Sequence, residues 1–381
     1  MAVVILLICW IALYGTKHHP DYLFDKDNII NELNEYAKLF KITGKWIRIN
    51  DPYTLKPLNI HVAISEGTTT SISSPIVFVH GNFSCSAKFF PIMQHLFDTS
   101  GSRCISIDLP GYGISDTPEW SKDMSNQLLC EYYTEIIRSI IEVVSEGDPV
   151  VLVAHSIGCY FSIGKALESS HLIKAFIFTA PAGLLPVNGD YAMYWAYLFK
   201  FSFPQVALIY LRHILYPLTS LLSASSQFWL CHLFNPHVSL DANPGRFIKI
   251  EAMRSYWMYP KLHEMLKINK PVILVYGEHD SIVPSHQGHV ISNLTGGVIE
   301  SHIIKNEGHF LTGDTFTKEI TVIINKAAKG YGVNASLSPC VKHIHAITDV
   351  IHQTYCAKHS PSETRKEYEL LYDRLAVFAR V

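Results

Sequence analysis

Hydrophobic residues along the chain gather in short, continuous runs: "IVFVH" (76–80), "CISIDL" (104–109), "VVLVAH" (150–155), "AFIFTA" (175–180), "VILVYG" (272–277) and "VIESHII" (298–304). Each is rich in β-branched residues. An unbroken apolar run of strand length, without polar alternation, predicts a strand buried on both faces. Segments of helical length lie between the runs, such as 121–145 and 157–169. Strands spaced by helices predict a mainly parallel sheet with helices on both sides. Ahead of them, "KWIRIN" and "LNIHVAI" flank the turn residues "DPYT" and predict a hairpin, and a polar helical stretch covers 26–41. The expectation is an α/β fold with a mainly parallel central sheet of about eight strands flanked by helices.

Three segments depart from this rhythm. Residues 186–262 carry no strand signal and many aromatics, as in "YAMYWAYLFKFSFPQVALIYLRHILYP". Pro217, Pro236 and the "SLLSASSQ" cluster interrupt this segment, and strands resume after it. It therefore reads as a helical cap inserted between two parts of a core, 45–185 and 263–327, and not as a membrane span. After the linker "KAAKGYGVN", residues 334–381 read as a helical extension, its second helix opening on the capping box Ser360-Pro361-Ser362-Glu363. At the other end, residues 1–16 hold an apolar run from Ala2 to Tyr14. At about 1.5 Å per residue it reaches roughly 20 Å, short of a hydrocarbon core of about 30 Å. No Lys or Arg precedes it and no A-x-A-like cleavage site follows. An uncleaved signal anchor, a secretory signal and an interfacial helix all fit. Membrane association through this segment is the expectation, with the compartment open.

Charge narrows the partners. A net charge of −2 and the lack of a basic stripe give no reason to expect nucleic acid. The eight cysteines show no Cys-x-x-Cys pair or ladder, so neither a zinc site nor a disulfide framework is indicated. Pairs such as His286 with His289 are expected by chance among 20 histidines, and no carboxylate or thiol set completes them. No cofactor or metal is expected.

The chemistry concentrates where the strand "VVLVAH" stops on Ser156. A serine on a turn this tight between strand and helix stands clear of the backbone, and the residues two before and two after it must be small. Ala154 and Gly158 meet that requirement. A hydroxyl is a weak nucleophile without a base, and the base needs an orienting carboxylate. Asp280 follows the strand "VILVYG", and His309 follows the strand "VIESHII". Both lie past a strand's carboxyl end, where open α/β sheets place their sites. Asp108 is an alternative acid, after a different strand. Charge developing on a tetrahedral intermediate requires N–H donors, for which the backbones of Ile157 and Asn82 are the candidates.

With these residues in place, the chain resembles the α/β-hydrolase family from about residue 45 to 327. The resemblance rests on "HGN" (80–82), "DLPGYGISD" (108–116), "AHSIG" (154–158), "GEHD" (277–280) and "GHF" (308–310). It implies Ser156 as nucleophile, His309 as base, Asp280 as its orienter, and Asn82 with Ile157 as oxyanion donors. Ala154 stands where the family more often has glycine. "DLPGYGISD" and "HGNFS" look most like epoxide hydrolases and haloalkane dehalogenases, whose nucleophile is an aspartate. Serine at 156 instead favours acyl chemistry. The segment "HFLTGD" also matches the His-x4-Asp pattern of glycerolipid acyltransferases, through His309 and Asp314.

The expected function is a membrane-associated serine hydrolase of small hydrophobic, lipid-like carboxylic esters. An acyltransferase built on the same triad and a non-catalytic binder of hydrophobic ligands or protein partners are the alternatives.

Overall fold

The computed structural model describes residues 31–184 and 261–330, less 69–73, 82–83, most of 117–125 and 165–170, and scattered single positions. The N-terminal apolar run, the expected cap up to residue 260, the second half of the linker and the C-terminal extension lie outside the described residues. The linker's first residues, 326–328, are instead the end of a helix, Asp314–Ala328.

Eight strands make one sheet: β1 (Thr43–Asn50), β2 (Pro57–Ser65), β3 (Ile76–Val79), β4 (Cys104–Ile107), β5 (Val150–His155), β6 (Ile173–Thr179), β7 (Val272–Gly277) and β8 (Glu300–Ile304). Their spatial order is β1-β2-β4-β3-β5-β6-β7-β8. β1 pairs antiparallel with β2, and β2 with β4; every other pairing is parallel. The apolar runs read from the sequence are these strands, with His80, Asp108 and Leu109 falling just past the strand ends as loop residues.

Successive residues of the central strands feed opposite faces, as the period of two requires. Val77, Leu152, Phe176 and Leu274 join a core beneath α2 (Asn126–Val144), which buries Ile136, Ile137, Ile140 and Ile141. Phe78, Val151, Ile177 and Val275 join the core of the other face. There they meet Met93 and Leu96 of α1 (Phe90–Ser100), entered through a 3-10 turn at Ser86–Phe89, and Ile320 and Ile324 of the last described helix, Asp314–Ala328.

The order of strands sets where a crevice forms. From β3 the chain moves outward to β4, then crosses back to β5 on the opposite side of β3, and continues outward through β6, β7 and β8. β3 and β5 are thus neighbours whose connections leave in opposite directions, which opens a crevice at their carboxyl ends.

The helix expected over 157–169 begins at Ile157 but ends at Phe161, since residues 162–164 are not helical, so α3 (Ile157–Phe161) is short. Its carbonyls are met by side chains, two of them from distant parts of the chain and one from its own cap residue Ser162. Thr134 Oγ1 donates to Phe161 O at 2.8 Å, Lys261 Nζ to Tyr160 O at 3.1 Å, and Ser162 Oγ to Gly158 O at 2.8 Å. Such partners satisfy the groups that a helix end leaves orphaned, and periodicity in one segment cannot foresee them. Two further helices follow later in the chain, α4 (His286–Leu294) and α5 (Asp314–Ala328).

Two buried carboxylates tie the hairpin to the rest. Asp51 Oδ1 accepts the N–H groups of Tyr53 (3.0 Å) and Thr54 (2.8 Å), shaping the turn after β1, while its Oδ2 accepts the Tyr132 hydroxyl of α2 at 2.8 Å. Asp108, past the end of β4, is fully buried. It meets His61 Nδ1 of β2 at 2.9 Å and accepts the N–H of Ser86 at 2.6 Å and of Ile114 at 3.3 Å. Burial pushes the Asp108 carboxyl up, but the His61 hydrogen bond and charge and the Ser86 N–H outweigh it and hold it below the ordinary aspartate value. A native value below that of the unfolded chain means that the stabilisation is complete above about pH 3.9 and is lost as pH falls through the native value. Asp108→Asn should therefore cost about 3–5 kcal/mol near neutrality. Thermal melts from pH 7 downward should show the gap between variant and wild type narrowing below about pH 4; a gap independent of pH would show that the charge plays no part.

Candidate active site

Ser156 sits between β5 and α3 with φ 52° and ψ −122°, a left-sided conformation that costs a non-glycine residue energy. The surroundings hold it there. Its N–H donates to Thr179 O of β6 at 2.9 Å, and its carbonyl accepts the N–H groups of Cys159 (3.1 Å) and Ala182 (3.2 Å). Space decides the neighbours. A β-carbon on Gly158 would stand 2.4 Å from His80 O and 2.9 Å from Val79 O, and one on Gly81 would stand 2.8 Å from Ser156 Cβ. The end of β3 and the turn after β5 touch backbone to backbone, which only glycine permits.

The loops after β7 and β8 supply the partners. His309 Nε2 lies 3.0 Å from Ser156 Oγ, and His309 Nδ1 lies 2.9 Å from Asp280 Oδ2. Asp280 is buried, and its other oxygen accepts the Val283 N–H at 2.8 Å. A carboxylate can only accept, so Nδ1 carries the proton and Nε2 turns its lone pair to the serine hydroxyl. The structure thus brings Ser156, His309 and Asp280 into one hydrogen-bonded line. Asp108, the alternative acid, is engaged with His61 and stands outside that line.

Glu278 and His279, which read as ordinary loop residues, set the distance between acid and histidine. The Glu278 N–H donates to Ile304 O (3.0 Å), the His279 N–H to Glu307 O (2.8 Å), and the Asn306 N–H to Glu278 Oε2 (3.0 Å). At Gly277 a β-carbon would stand 2.5 Å from Gly308 O, so the two loops also meet through bare backbone. No local signal in the sequence marks Glu278 as the tie, because its partner lies a strand and a helix away.

On the opposite flank, His80 follows β3. It meets Gly81 O through Nδ1 at 2.7 Å, and its Nε2 accepts the Leu109 N–H at 3.1 Å. Those two bonds fix one neutral tautomer and shape the turn leading to Asn82. Asn82 itself lies outside the described residues. Ile157 is the first residue of α3, where backbone N–H groups have no intrahelical acceptor.

Other residues beside the serine are inert by burial. His155 meets Thr179 Oγ1 at 3.2 Å, and burial above all holds its imidazole well below the usual value, hence neutral. Burial likewise pushes the Cys159 thiol far up. Lys88, on the 3-10 turn after the His80 loop, is a further buried neighbour that the sequence patterns do not single out. Its amine stands 5.9 Å from the centre of the Phe310 ring, and burial lowers its value strongly against the pull of Cys159 and Asp280. Asp314 opens α5, where a carboxylate suits the helix start.

Among the described residues no cluster of three potential metal ligands exists, and no helix is long and apolar enough to cross a membrane. Gly158→Ala should cost at least roughly 1–3 kcal/mol, since neither carbonyl that the new methyl meets is free to retreat. Denaturant titration checks this, and stability equal to wild type would refute the close approach.

Among proteins of known type, "Probable lysophospholipase BODYGUARD 4" of Arabidopsis thaliana is 30% identical over 130 residues, which is 32% of this chain and 30% of that relative. The match thus spans less than a third of the relative's length. A putative lipase from Acinetobacter baumannii superposes with a TM-score of 0.57 at 15% identity, covering 79% of this chain and 97% of that one. Epoxide hydrolase VrEH1 from Vigna radiata gives a TM-score of 0.55 at 16% identity, covering 76% and 99%. The model of the Alpha/beta hydrolase family matches residues 76–316, well over half of the chain. Together with the eight-stranded sheet, this match establishes that the chain belongs to the α/β hydrolase family.

Proposed function

We propose that this protein hydrolyses carboxylic esters of hydrophobic acids through an acyl-enzyme on Ser156. The observation that carries the reading is the continuous line Ser156 Oγ–His309 Nε2–Asp280, with spacings of 3.0 and 2.9 Å. His309 takes the hydroxyl proton as Ser156 Oγ attacks the ester carbonyl, and Asp280 holds the imidazole in the required tautomer and stabilises the imidazolium. The backbone N–H groups of Ile157 and Asn82 receive the developing oxyanion. The alcohol leaves with the proton from His309, and water, activated by the same base, releases the acid. Every group this sequence of steps requires belongs to the chain itself.

The acid side of the substrate rests on two supports. The segment 186–262 is unusually aromatic and poor in charge, a composition suited to an apolar pocket wall. A relative similar over a third of the chain bears the name of a lysophospholipase. Lipid-like esters are therefore the substrates to offer first, and the apolar run at residues 2–14 would bring the enzyme to the membranes that contain them.

A fluorophosphonate probe should label the detergent-solubilised protein, and Ser156→Ala should abolish the label. Asp280→Asn should keep the fold and lower kcat on a long-chain p-nitrophenyl ester by about 10⁴-fold. Absence of labelling in folded wild type would overturn the serine-hydrolase reading. A Kd for long-chain acids or esters, without turnover, would then point to a binding protein.

A further inference from the structure

Behind the nucleophile helix, Cys130 of α2 meets Lys261, which lies at the end of the 186–262 segment. Both are buried, at 3% and 8% exposure. Lys261 Nζ stands 2.6 Å from Cys130 Sγ and 3.1 Å from Tyr160 O, and it also donates to Ile163 O. The Tyr160 ring lies over the amine at 4.6 Å. Three acceptors match the three N–H groups of an ammonium. Two are carbonyls at and just past the end of α3, so the helix end accounts for a cation here.

The sulfur is not accounted for in that way. A separation of 2.6 Å is shorter than the range of about 2.7–3.2 Å usual for N–H donors to oxygen, although sulfur is the larger atom. It is too long for a direct sulfur–nitrogen bond and matches the gap that one bridging oxygen spans.

We infer that Cys130 and Lys261 form a site of reversible oxidative cross-linking, in which a single oxygen joins the two side chains as a Cys–S–O–NH–Lys bridge. The oxidant is a peroxide. The ammonium first gives a proton to solvent. The thiol S–H and one amine N–H bond then break, and S–O and O–N bonds form. Two molecules of hydrogen peroxide supply the bridging oxygen and leave as three of water. Sulfur is oxidised to the sulfenate level and nitrogen to the hydroxylamine level.

Cys130 Sγ, like two other buried thiols, has a backbone carbonyl in reach, Tyr160 O at 3.5 Å, and it differs from those two in also meeting an amine. Cys104 Sγ lies 3.8 Å from Ser102 O, and Cys159 Sγ lies 3.2 Å from Ala154 O and 3.7 Å from Thr179 O, all backbone carbonyls. Burial pushes the Cys130 thiol up as it does theirs, and the Glu131 charge adds to this, but at Cys130 the charge and hydrogen bond of Lys261, with a bond from Thr134, work against the rise. The position would give the bridge leverage. The Lys261 N–H donates to Gly183 O at 2.8 Å, which joins the two ends of the inserted segment. A cross-link there would fix those ends to α2 and take donors from the carbonyls behind Ser156.

The test is a peptide map of the full chain after hydrogen peroxide treatment at a dose that oxidises methionine, with free thiols alkylated. The expected result is a Cys130 peptide joined to a Lys261 peptide, heavier by one oxygen and lighter by two hydrogens. Dithiothreitol should release it. The cross-link should persist in Cys104→Ser and Cys159→Ser and vanish in Lys261→Arg. Recovery of Cys130 from folded protein as a free thiol or a sulfinic acid, with Lys261 unmodified, overturns the inference. So does a link lacking the oxygen. The wild-type map is decisive by itself if the Lys261 variant does not fold, and it needs no ester substrate.

Discussion

Everything at the candidate site depends on two stretches of backbone approaching more closely than side chains allow. The turn after β3 and the turn after β5 meet where Gly158 faces the carbonyls of Val79 and His80, and where Gly81 faces the β-carbon of Ser156. The approach follows from topology. β3 and β5 are adjacent and parallel, and their connections leave in opposite directions, so their carboxyl ends share one crevice. Ser156 adopts its unfavourable φ because β6, α3 and the loop after β6 hold its N–H and carbonyl in place.

The same device recurs at the second pair of loops. Gly277 lets the loop carrying Asp280 rest on the backbone before His309, and Glu278 locks that contact through the Asn306 N–H. Strand pairing of β7 with β8 sets the two loops side by side. Two backbone contacts, each secured by glycine, therefore fix both ends of the Ser–His–Asp line. The side chains need only reach across short, predetermined distances.

Packing behind the serine has its own logic. α3 is brief, and its carbonyls are met by Thr134 of α2 and by the buried Lys261 amine. The nucleophile helix is thereby anchored to α2 and to the chain approaching β7. Its N-terminal end, with Ile157, keeps its place at the crevice while its other end is tied into the core.

Much of this was legible in the sequence. Unbroken apolar runs announced the central parallel strands because burial on both faces leaves no polar alternation, while the edge strand β8 carries Glu300, Ser301 and His302. "AHSIG" announced the turn because a tight strand-to-helix crossing excludes large neighbours. Ser156, Asp280 and His309 could be singled out because each ends or follows such a run. The extent of α3, the tie through Glu278, the engagement of Asp108 with His61, and the meeting of Cys130 with Lys261 were not legible. Each depends on partners far apart in the chain, and periodicity and local motifs carry no information about which distant groups will face one another. The sequence by itself determined the elements and the kinds of residue at their ends. The strand order, which only the tertiary structure decides, determined which of those residues meet, because it alone sets which strand ends share a crevice.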